Sequence, residues 1–308
     1  MINNVAIIGM GNQGKKRHFL YRSLGLNVIT VDTTNPANLR HFSELNISEW
    51  DMIVVSVPEA SKEEIIKGLI GAKLILVEKP FLPFFAEDSI DDLYRAAREA
   101  KSLIYTSYNH AFEPSLFHIL KLFRENDFGK LYDVDIEYSN GTSMDIVASP
   151  WRNQGYGVID DLLPHCLQIM FELFPKPELQ FHSIIVGNSE TICPDFASCL
   201  LKFGNQYVRI KNSYLSWKNT FLLRLIFEKG FIALDALTKW SDAKLTWGIR
   251  TLPSGLPKMQ ELVFPKGDST IKSELDFLHS YNNAKMSRDA ERNKYISGIL
   301  GKIHFGRN

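Results

Sequence analysis

The stretch Val5-Ala6-Ile7-Ile8-Gly9-Met10-Gly11-Asn12-Gln13-Gly14 decides the fold. A short apolar run enters a glycine-rich turn directly, and a segment with helical spacing, Gln13–Leu24, follows it. A strand, a G-x-G-x-x-G turn and a helix in this order form a dinucleotide-binding fingerprint. Gly9 would make the tight turn, Gly11 would let the backbone approach a pyrophosphate, and Gly14 would let helix and strand pack closely. The alternative is a glycine-rich turn with no ligand.

The next hundred residues repeat this order of strand and helix. Short, β-branched apolar runs predict strands at Val5–Ile8, Val28–Val31, Met52–Val57, Leu74–Val77 and Leu103–Thr106. Helical spacing predicts helices at Gln13–Leu24, Ser61–Leu69 and Ser89–Ala100. Strands that are apolar throughout and alternate with helices indicate a parallel sheet covered on both faces.

Asp32 ends the second predicted strand, close to the offset of about 20 residues at which a ribose-binding acid is expected. A carboxylate accepts hydrogen bonds from ribose hydroxyls and repels a 2′-phosphate. Thr33 and Thr34 follow it, and no adjacent Arg is present to hold that phosphate. We therefore expect NAD rather than NADP as the cofactor. The alternative for Asp32 is a solvated residue at a strand end.

The pattern changes after about residue 110. A predicted helix, Glu113–Glu125, and a long strand, Leu131–Ser139, precede several hairpins. The further strands are Ala197–Phe203, Tyr207–Tyr214, Phe221–Phe227, Phe231–Ala236, Lys244–Thr251 and Glu261–Phe264, and the further helices are Ile159–Phe174 and Arg288–Gly301. The expected fold is an α/β Rossmann domain over residues 1–108, followed by an α+β domain with a large, mostly antiparallel open sheet over residues 109–308.

Composition narrows the class of protein. The chain has 308 residues, with 35 Lys and Arg against 35 Asp and Glu, so its formal net charge is zero. A neutral chain has no electrostatic footprint for nucleic acid or for an anionic membrane. Three cysteines without a C-x-x-C pair predict neither a disulfide framework nor structural zinc. The sequence lacks a signal-peptide pattern and a long apolar run, so we expect a soluble cytoplasmic protein without a metal.

Two further motifs carry candidate chemistry. Lys79, in Glu78-Lys79-Pro80, follows the fourth predicted strand, at the sheet edge where ligands bind. Asp161 and His165 are four residues apart, so a helix would place carboxylate and imidazole on one face. The carboxylate could orient the ring while the imidazole takes a proton. The alternatives are a solvated Lys79, an Asp161 that caps a helix beginning at Pro164, and a packed His165.

The ordered set of motifs resembles the glucose–fructose oxidoreductase/inositol dehydrogenase (Gfo/Idh/MocA) family over nearly the whole chain. The motifs are Gly9–Gly14, Val57-Pro58, Glu78-Lys79-Pro80-Phe81, Tyr108-Asn109-His110, Phe112-Glu113-Pro114, Phe128-Gly129-Lys130, Trp151-Arg152, Gly157, the Asp161 and His165 pair, and the hairpin Phe227–Asp235. The resemblance implies an NAD(P)-binding first domain, oxidoreduction of sugars or polyols, and oligomers assembled through the second sheet.

The resemblance also implies residue roles. Lys79 matches the catalytic lysine of the family, Asp161 its substrate-contacting acid and His165 its catalytic histidine, while Trp151 and Arg152 match residues beside the nicotinamide or the substrate. The candidate substrate ligands are Asn109, Trp151, Arg152, Asp161 and His165. The candidate cofactor ligands are Gly9, Met10, Gly11, Asn12, Gln13, Gly14, Asp32, Ser56, Val57, Pro58, Glu78 and Lys79.

Five positions depart from the family pattern. Ala111 stands where Arg is common, Leu163 where Gly is usual, and Gln168 where Asp is often found. Glu59 and Lys62 stand where Asn and His are common. These departures leave open a changed substrate or a lost activity.

The expected function is an NAD-dependent oxidoreductase that acts on a secondary alcohol of a sugar, nucleotide-sugar or cyclitol. Two alternatives remain open at this point. One is a non-catalytic NAD-sensing protein of the same fold, and the other is an NAD-dependent glycoside hydrolase or sugar-interconverting enzyme. We also expect a homodimer or homotetramer, because apolar residues occupy both alternating sets in Ala197–Tyr214 and Phe221–Ala236. The aromatic run Phe81–Phe85 is interpreted as packing or a loop cover.

Overall fold

The structure is a computed structural model that describes residues 1–82, 87–174, 179–267 and 269–305, without the side chain of Phe305. Phe84 and Phe85 of the aromatic run lie outside these residues. The elements are β1 (Asn4–Ile8), α1 (Asn12–Ser23), β2 (Asn27–Val31), β3 (Met52–Val55), α2 (Lys62–Leu69), β4 (Leu74–Glu78), α3 (Glu87–Glu99), β5 (Leu103–Ser107), α4 (Pro114–Glu125), β6 (Leu131–Ser139), α5 (Ser143–Val147), α6 (Val158–Asp161), α7 (Leu163–Leu173), β7 (Leu179–Gly187), β8 (Phe196–Phe203), β9 (Gln206–Ser213), β10 (Thr220–Phe227), β11 (Gly230–Asp235), β12 (Ala243–Ile249), β13 (Lys258–Phe264), α8 (Thr270–Leu278) and α9 (Asn283–Phe305).

The chain divides into two compact units. The first comprises Met1–Tyr108 and Ile271–Gly301, and the second comprises Asn109–Thr270 and the residues from Lys302 onward. The expectation of one domain over residues 109–308 therefore needs correction, because Ile271–Gly301 packs with the first unit.

The first unit contains a parallel sheet. Within the described residues the strand order is β2-β1-β3-β4-β5, and every neighbouring pair is parallel. The central strands β1 and β3 are almost wholly buried, as their apolar sequences require. Parallel strands end at one edge, so this edge carries the glycine-rich turn after β1, Ser56 after β3 and Lys79 after β4. The predicted Rossmann-type sheet is confirmed.

A buried polar network explains why the late segment belongs to this unit. The Asp289 carboxylate on α9 accepts hydrogen bonds from the Tyr94 hydroxyl (2.5 Å) and from the backbone N–H of Thr106 (2.9 Å). The Asn293 side-chain amide donates to the hydroxyl oxygens of Tyr94 and Thr106. These groups are buried, so each of them depends on its partner in the network.

The second unit is built on a larger sheet. Within the described residues its strand order is β13-β12-β11-β10-β6-β9-β8-β7, and only the β6–β9 pair is parallel. The buried face carries residues such as Val134, Ile136, Leu223 and Leu225. The predicted large and mostly antiparallel sheet is confirmed.

The opposite face of this sheet is mixed rather than apolar throughout. Its central part holds a charged cluster, in which Arg209 pairs with Asp133 and with Asp135. Leu222 and Ile226 lie on the same face, half-buried and 40% exposed respectively. The expectation of two apolar faces is thus correct for some residues of this face and wrong for the charged cluster beside them.

The predicted helix Ile159–Phe174 is interrupted. The structure has a short α6 that ends at Asp161 and a separate α7 that begins at Leu163. Pro164 lies in the first turn of α7, and because proline has no N–H it cannot continue the hydrogen-bond ladder of α6. Asp161 and His165 therefore do not lie on one face of a continuous helix, and this prediction was wrong.

None of the helices in the part of the chain that the structure describes has the length and apolar character of a membrane span.

Candidate functional site

The glycine-rich turn of the first unit is sterically specified at two positions. A side-chain methyl on Gly9 would overlap the Ser56 carbonyl oxygen, and Gly9 also has a φ of +94°. A methyl on Gly14 would overlap the Gly9 carbonyl oxygen, so only glycine lets α1 pack this closely. A methyl on Gly11 would meet no described atom within 4 Å. Gly11 is thus not required for packing and leaves open space beside the turn.

These features fit the pyrophosphate of a dinucleotide. Gly11 is the residue that precedes α1, and no side chain in the described residues caps that helix end. The first N–H groups of α1 therefore remain available to an anion, which the helix dipole also favours. Gly9 and Gly14 thus have the steric roles that their spacing predicts, and the role of Gly11 stays a prediction. Met10 lies in the same turn, and Asn12 and Gln13 are the first two residues of α1.

Asp32 is bound to the glycine-rich turn. One carboxylate oxygen accepts a hydrogen bond from the backbone N–H of Met10 at 2.6 Å, and the other accepts from the N–H groups of Thr34 and Asn35. Burial would raise the pKa of Asp32, but these hydrogen bonds together outweigh it and hold the pKa well below its usual range. Asp32 is thus an ionised residue that fixes both the turn and the loop after β2.

Ser56, Val57 and Pro58 follow β3 at the same edge. The Ser56 N–H donates to the Ile8 carbonyl oxygen at 2.8 Å, which extends the pairing of β1 with β3 by one residue. The Gly9 position is in close contact with Ser56 and Val57. The structure therefore brings Ser56 and Val57 beside the glycine-rich turn.

The segment Glu78-Lys79-Pro80 lies at the end of β4 and contains a cis Lys79–Pro80 peptide bond. The Glu78 carboxylate accepts a hydrogen bond from Arg17 Nε at 2.5 Å, and the Arg17 guanidinium also binds Glu274. Lys79 is half-buried. Glu78, which the sequence assigns to cofactor binding, is thus held by Arg17 of α1.

In the second unit, Asp161 lies at the end of α6 between two polar groups. Its Oδ2 accepts from the Tyr214 hydroxyl at 3.2 Å and lies 3.4 Å from Nη2 of Arg152. The Asp161 and Arg152 side chains are each about one-third exposed, at 36% and 31%. Two of the predicted substrate ligands are therefore together, at the edge of a surface that solvent reaches.

His165 lies on α7 within a buried aromatic cluster. The ring centroids of His165 and His110 are 4.4 Å apart, and those of His165 and Tyr138 are 5.5 Å apart. The Tyr138 hydroxyl lies 3.2 Å from Nε2 of His110, and burial raises the pKa of Tyr138 well above its usual value. Trp240 packs against His110 and Tyr138 from the side. An aromatic ring and a second imidazole thus pack directly against the candidate base.

The remaining predicted substrate ligands differ in environment. Asn109 is half-buried in a short 3-10 turn that also carries His110, and Trp151 is 68% exposed. Leu163 is buried in the first turn of α7. Gln168, three residues after His165, is fully buried, and neither polar atom of its side chain has a hydrogen-bond partner among the described residues.

Sequence reasoning missed several residues of these two sites. Arg17 and Lys62 were not identified around Lys79, nor Tyr138, Tyr214 and Trp240 around His165 and Asp161. His110 stood in a matched motif but received no role. The only sequence signal for Tyr138 is its place in the inward-facing set of β6, together with Val134 and Ile136.

Among the residues that the structure describes, no group of three or more His, Cys, Asp and Glu side chains could hold a metal ion. The expectation that no metal is needed stays a prediction.

No family model matches the sequence, and no curated protein matches it. Solved structures do match the fold. GenD2 from gentamicin A biosynthesis, in complex with NAD, is 16% identical, with a TM-score of 0.77 over 98% of this chain and 93% of that one. The UDP-N-acetylglucosamine 3-dehydrogenase GnnA from Acidithiobacillus ferrooxidans is 16% identical, with a TM-score of 0.74 over 98% and 96%. KijD10, a 3-ketoreductase from Actinomadura kijaniata in complex with NADP and TDP-benzene, is 13% identical, with a TM-score of 0.74 over 99% and 98%.

At these identities the likeness shows the fold. The chain has the fold of these oxidoreductases over nearly its whole length, with the parallel sheet first and the large, mostly antiparallel sheet after it.

Proposed function

We propose that the protein is an oxidoreductase of the Gfo/Idh/MocA type that uses NAD to oxidise a secondary alcohol of a sugar, nucleotide-sugar or cyclitol, or to reduce the corresponding ketone. The observation that carries this proposal is the turn from Gly9 to Gly14. Gly9 and Gly14 have no room for a side chain, whereas Gly11 faces open space. The similar structures, which include complexes with NAD and with NADP and a UDP-N-acetylglucosamine dehydrogenase, support the class of cofactor and substrate.

NAD is proposed over NADP because Asp32 is ionised and fixed next to the turn. A 2′-phosphate bound there would meet a like charge. A dinucleotide would be held by the N–H groups that begin α1, by the turn, and by the segment from Ser56 to Pro58. When bound, the cofactor would supply the hydride acceptor, nicotinamide C4.

The chain's own residues would handle the proton. His165 takes the hydroxyl proton of the substrate as the alcohol is oxidised, and returns it in the reverse reaction. Lys79, which follows the end of β4, is proposed to act in the same proton transfer. Asp161 would bind other hydroxyls of the substrate together with Arg152, since both side chains are accessible to solvent.

The test is turnover in a panel of sugars, polyols and nucleotide-sugars with NAD, followed by NADH absorbance. Lys79→Ala and His165→Ala should each lower turnover by about 10²–10⁴-fold, the usual contribution of a positioned acid–base group. NADH affinity should stay nearly unchanged. The double variant should lose less than the product of the single losses, because the two groups act on one proton. Full turnover in both single variants would contradict the proposed site.

We further propose that the protein forms a homodimer or homotetramer through the mixed face of its large sheet. Apolar side chains on that face, among them Ile226, Met259 and Val263, are 40–60% exposed. A second copy of the chain, bound to this face, would bury these side chains.

A further inference from the structure

Lys62 is a buried cation that contacts the backbone on both sides of Lys79. It lies in the first turn of α2, and only 2% of the residue is exposed. Its Nζ donates hydrogen bonds to the carbonyl oxygen of Glu78 at 2.7 Å and to that of Pro80 at 2.5 Å. These two carbonyl groups belong to the residues immediately before and after Lys79. One ammonium group therefore spans the residue that the proposed function places at the substrate.

A lysine in this position has a cost, because burial disfavours its charged form. Burial is the largest influence and lowers the pKa of Lys62 to about 8. The carboxylates of Glu59 and Glu78 act in the opposite direction, and the charge of Lys79 adds to the lowering. An apolar residue would fill the same place without this cost but would leave the two carbonyl groups without this donor.

Arg17 also holds this segment, through the Glu78 side chain. It is fully buried, binds the Glu78 carboxylate through Nε, and donates to Tyr21 and Glu274. Its remaining nitrogen donates to the Ser107 hydroxyl on the neighbouring strand β5 at 2.5 Å. Glu78 is thus fixed through its side chain by one cation and through its carbonyl oxygen by another. The strand end that carries Lys79 has little freedom left.

We propose that Lys62 is a positioning residue for Lys79: it fixes the main chain on both sides of Lys79, so that the Lys79 side chain is held in one direction. The evidence that the main chain is fixed is the two hydrogen bonds of Lys62. Its consequence for turnover rests on the proposed function of Lys79.

Amide hydrogen exchange tests the fixing of the main chain without substrate or cofactor. Lys62→Met keeps an unbranched side chain, one atom shorter, and removes both hydrogen bonds. Peptides that cover residues 77–82 should exchange about tenfold faster or more, because charge-assisted hydrogen bonds are lost there. The matched control is Lys67→Met, which removes an exposed lysine of the same helix that pairs with Glu63. Unchanged exchange in Lys62→Met would overturn the proposal. If the Met variant does not fold, Lys62→Gln is used in its place for the same measurement.

Turnover and affinity test the consequence for Lys79. With a sugar from the panel as substrate, Lys62→Met should lower kcat by about tenfold or more while NADH affinity and melting temperature stay near those of the Lys67→Met control. Lys62→Arg, which keeps a cationic donor, should recover part of kcat. If Lys79→Ala lowers turnover but Lys62→Met does not, the positioning role is wrong. If Lys79→Ala itself keeps full turnover, the proposed function of Lys79 is wrong instead. The exchange measurement then still tests whether Lys62 fixes the main chain beside Lys79.

Discussion

Asp32 has a structural role that its place in the sequence does not predict. Its place at the end of β2 indicates a ribose ligand, whereas the structure shows its carboxylate bound to Met10, Thr34 and Asn35. Both roles require an ionised carboxylate at the same point. The pattern of spacing can identify the position, but the hydrogen bonds to the turn depend on how β1 and β2 are paired.

We predict that NAD binds more tightly than NADP by more than several-fold. Two like charges about 4 Å apart repel by about 1 kcal/mol even in bulk water, and by more at a partly buried site. Fluorescence titration with NADH and NADPH measures the ratio. Asp32→Asn should reduce the preference, since the like charge is removed. Tighter binding of NADPH by the unmodified chain would contradict the role of Asp32.

Gln168 gives a stability prediction at the residue scale. Its side-chain amide is fully buried, without a hydrogen-bond partner among the described residues. A buried polar group left in this state costs about 1–3 kcal/mol. Gln168→Met, of similar size, should therefore raise the free energy of unfolding by about 1 kcal/mol. Urea unfolding measures it, with Gln154→Met on an exposed position as the control. A loss of stability would show that the amide has a partner.

Residue-level roles were predictable where the reason is local. Gly9 and Gly14 are needed because of atoms within the same strand–turn–helix unit, so their spacing is sufficient evidence. Arg17 and Lys62 were not predictable, because their partners come from β4 and from residue 274. Nothing in the sequence near position 17 or 62 indicates which distant carboxylate or carbonyl group it will meet.

At the scale of elements, the buried strands of the first unit were predicted to within one or two residues, because a strand buried on both faces is apolar throughout. The strand β7 was missed. It is an edge strand with a mixed pattern of burial, so its sequence lacks a clear alternation. The break between α6 and α7 was predictable from Pro164, but the i,i+4 spacing of Asp161 and His165 favoured a continuous helix.

Asp51 links the first residues of neighbouring strands and gives a pH prediction. Its carboxylate accepts from the N–H groups of Asn3 and Asn4 and pairs with Lys73 at 2.9 Å. The Asn3 hydrogen bond is the largest cause, and together these contacts lower the pKa of Asp51 to about 2 from 3.8. A lowered acid pKa stabilises the folded state at pH values above 3.8, and this contribution is lost as the pH falls through about 2.

We therefore expect Asp51→Asn to lower the free energy of unfolding by about 1 kcal/mol at pH 6, after allowance for solvent screening. The difference from the unmodified chain should narrow between pH 4 and pH 2. Urea unfolding at several pH values measures both. A difference that is the same at every pH would mean that the ionised form of Asp51 has no special stability.

At the scale of the whole molecule, the sequence predicted the two architectures and the boundary near residue 108, but it did not predict the return of Ile271–Gly301 to the first unit. The reason is that the Asp289, Tyr94 and Thr106 network forms between residues almost two hundred positions apart. Composition and periodicity describe α9 as a helix without indicating which sheet it covers.

The oligomer gives a prediction at this scale. Light scattering at micromolar concentration should show a dimer or a tetramer. Ile226→Glu adds a buried charge to the proposed interface and should shift the protein toward the monomer, whereas Phe19→Glu, on an exposed site of α1, should not. A monomeric unmodified protein would rule out the interface.

The central claim is that the turn from Gly9 to Gly14 binds a dinucleotide, and Gly11 tests it most directly. A methyl at Gly11 meets no described atom within 4 Å, so Gly11→Ala should fold with an unchanged melting temperature. The same methyl would stand where the pyrophosphate approaches the backbone.

The decisive measurement is NADH affinity by fluorescence titration in the unmodified chain, in Gly11→Ala, and in Gly267→Ala, which also adds a methyl without close contacts to described atoms. We predict binding in the unmodified chain and in Gly267→Ala, and an affinity at least about tenfold weaker in Gly11→Ala, equivalent to about 1.4 kcal/mol. Equal NADH affinity in all three proteins, or no binding by the unmodified chain, would contradict the account.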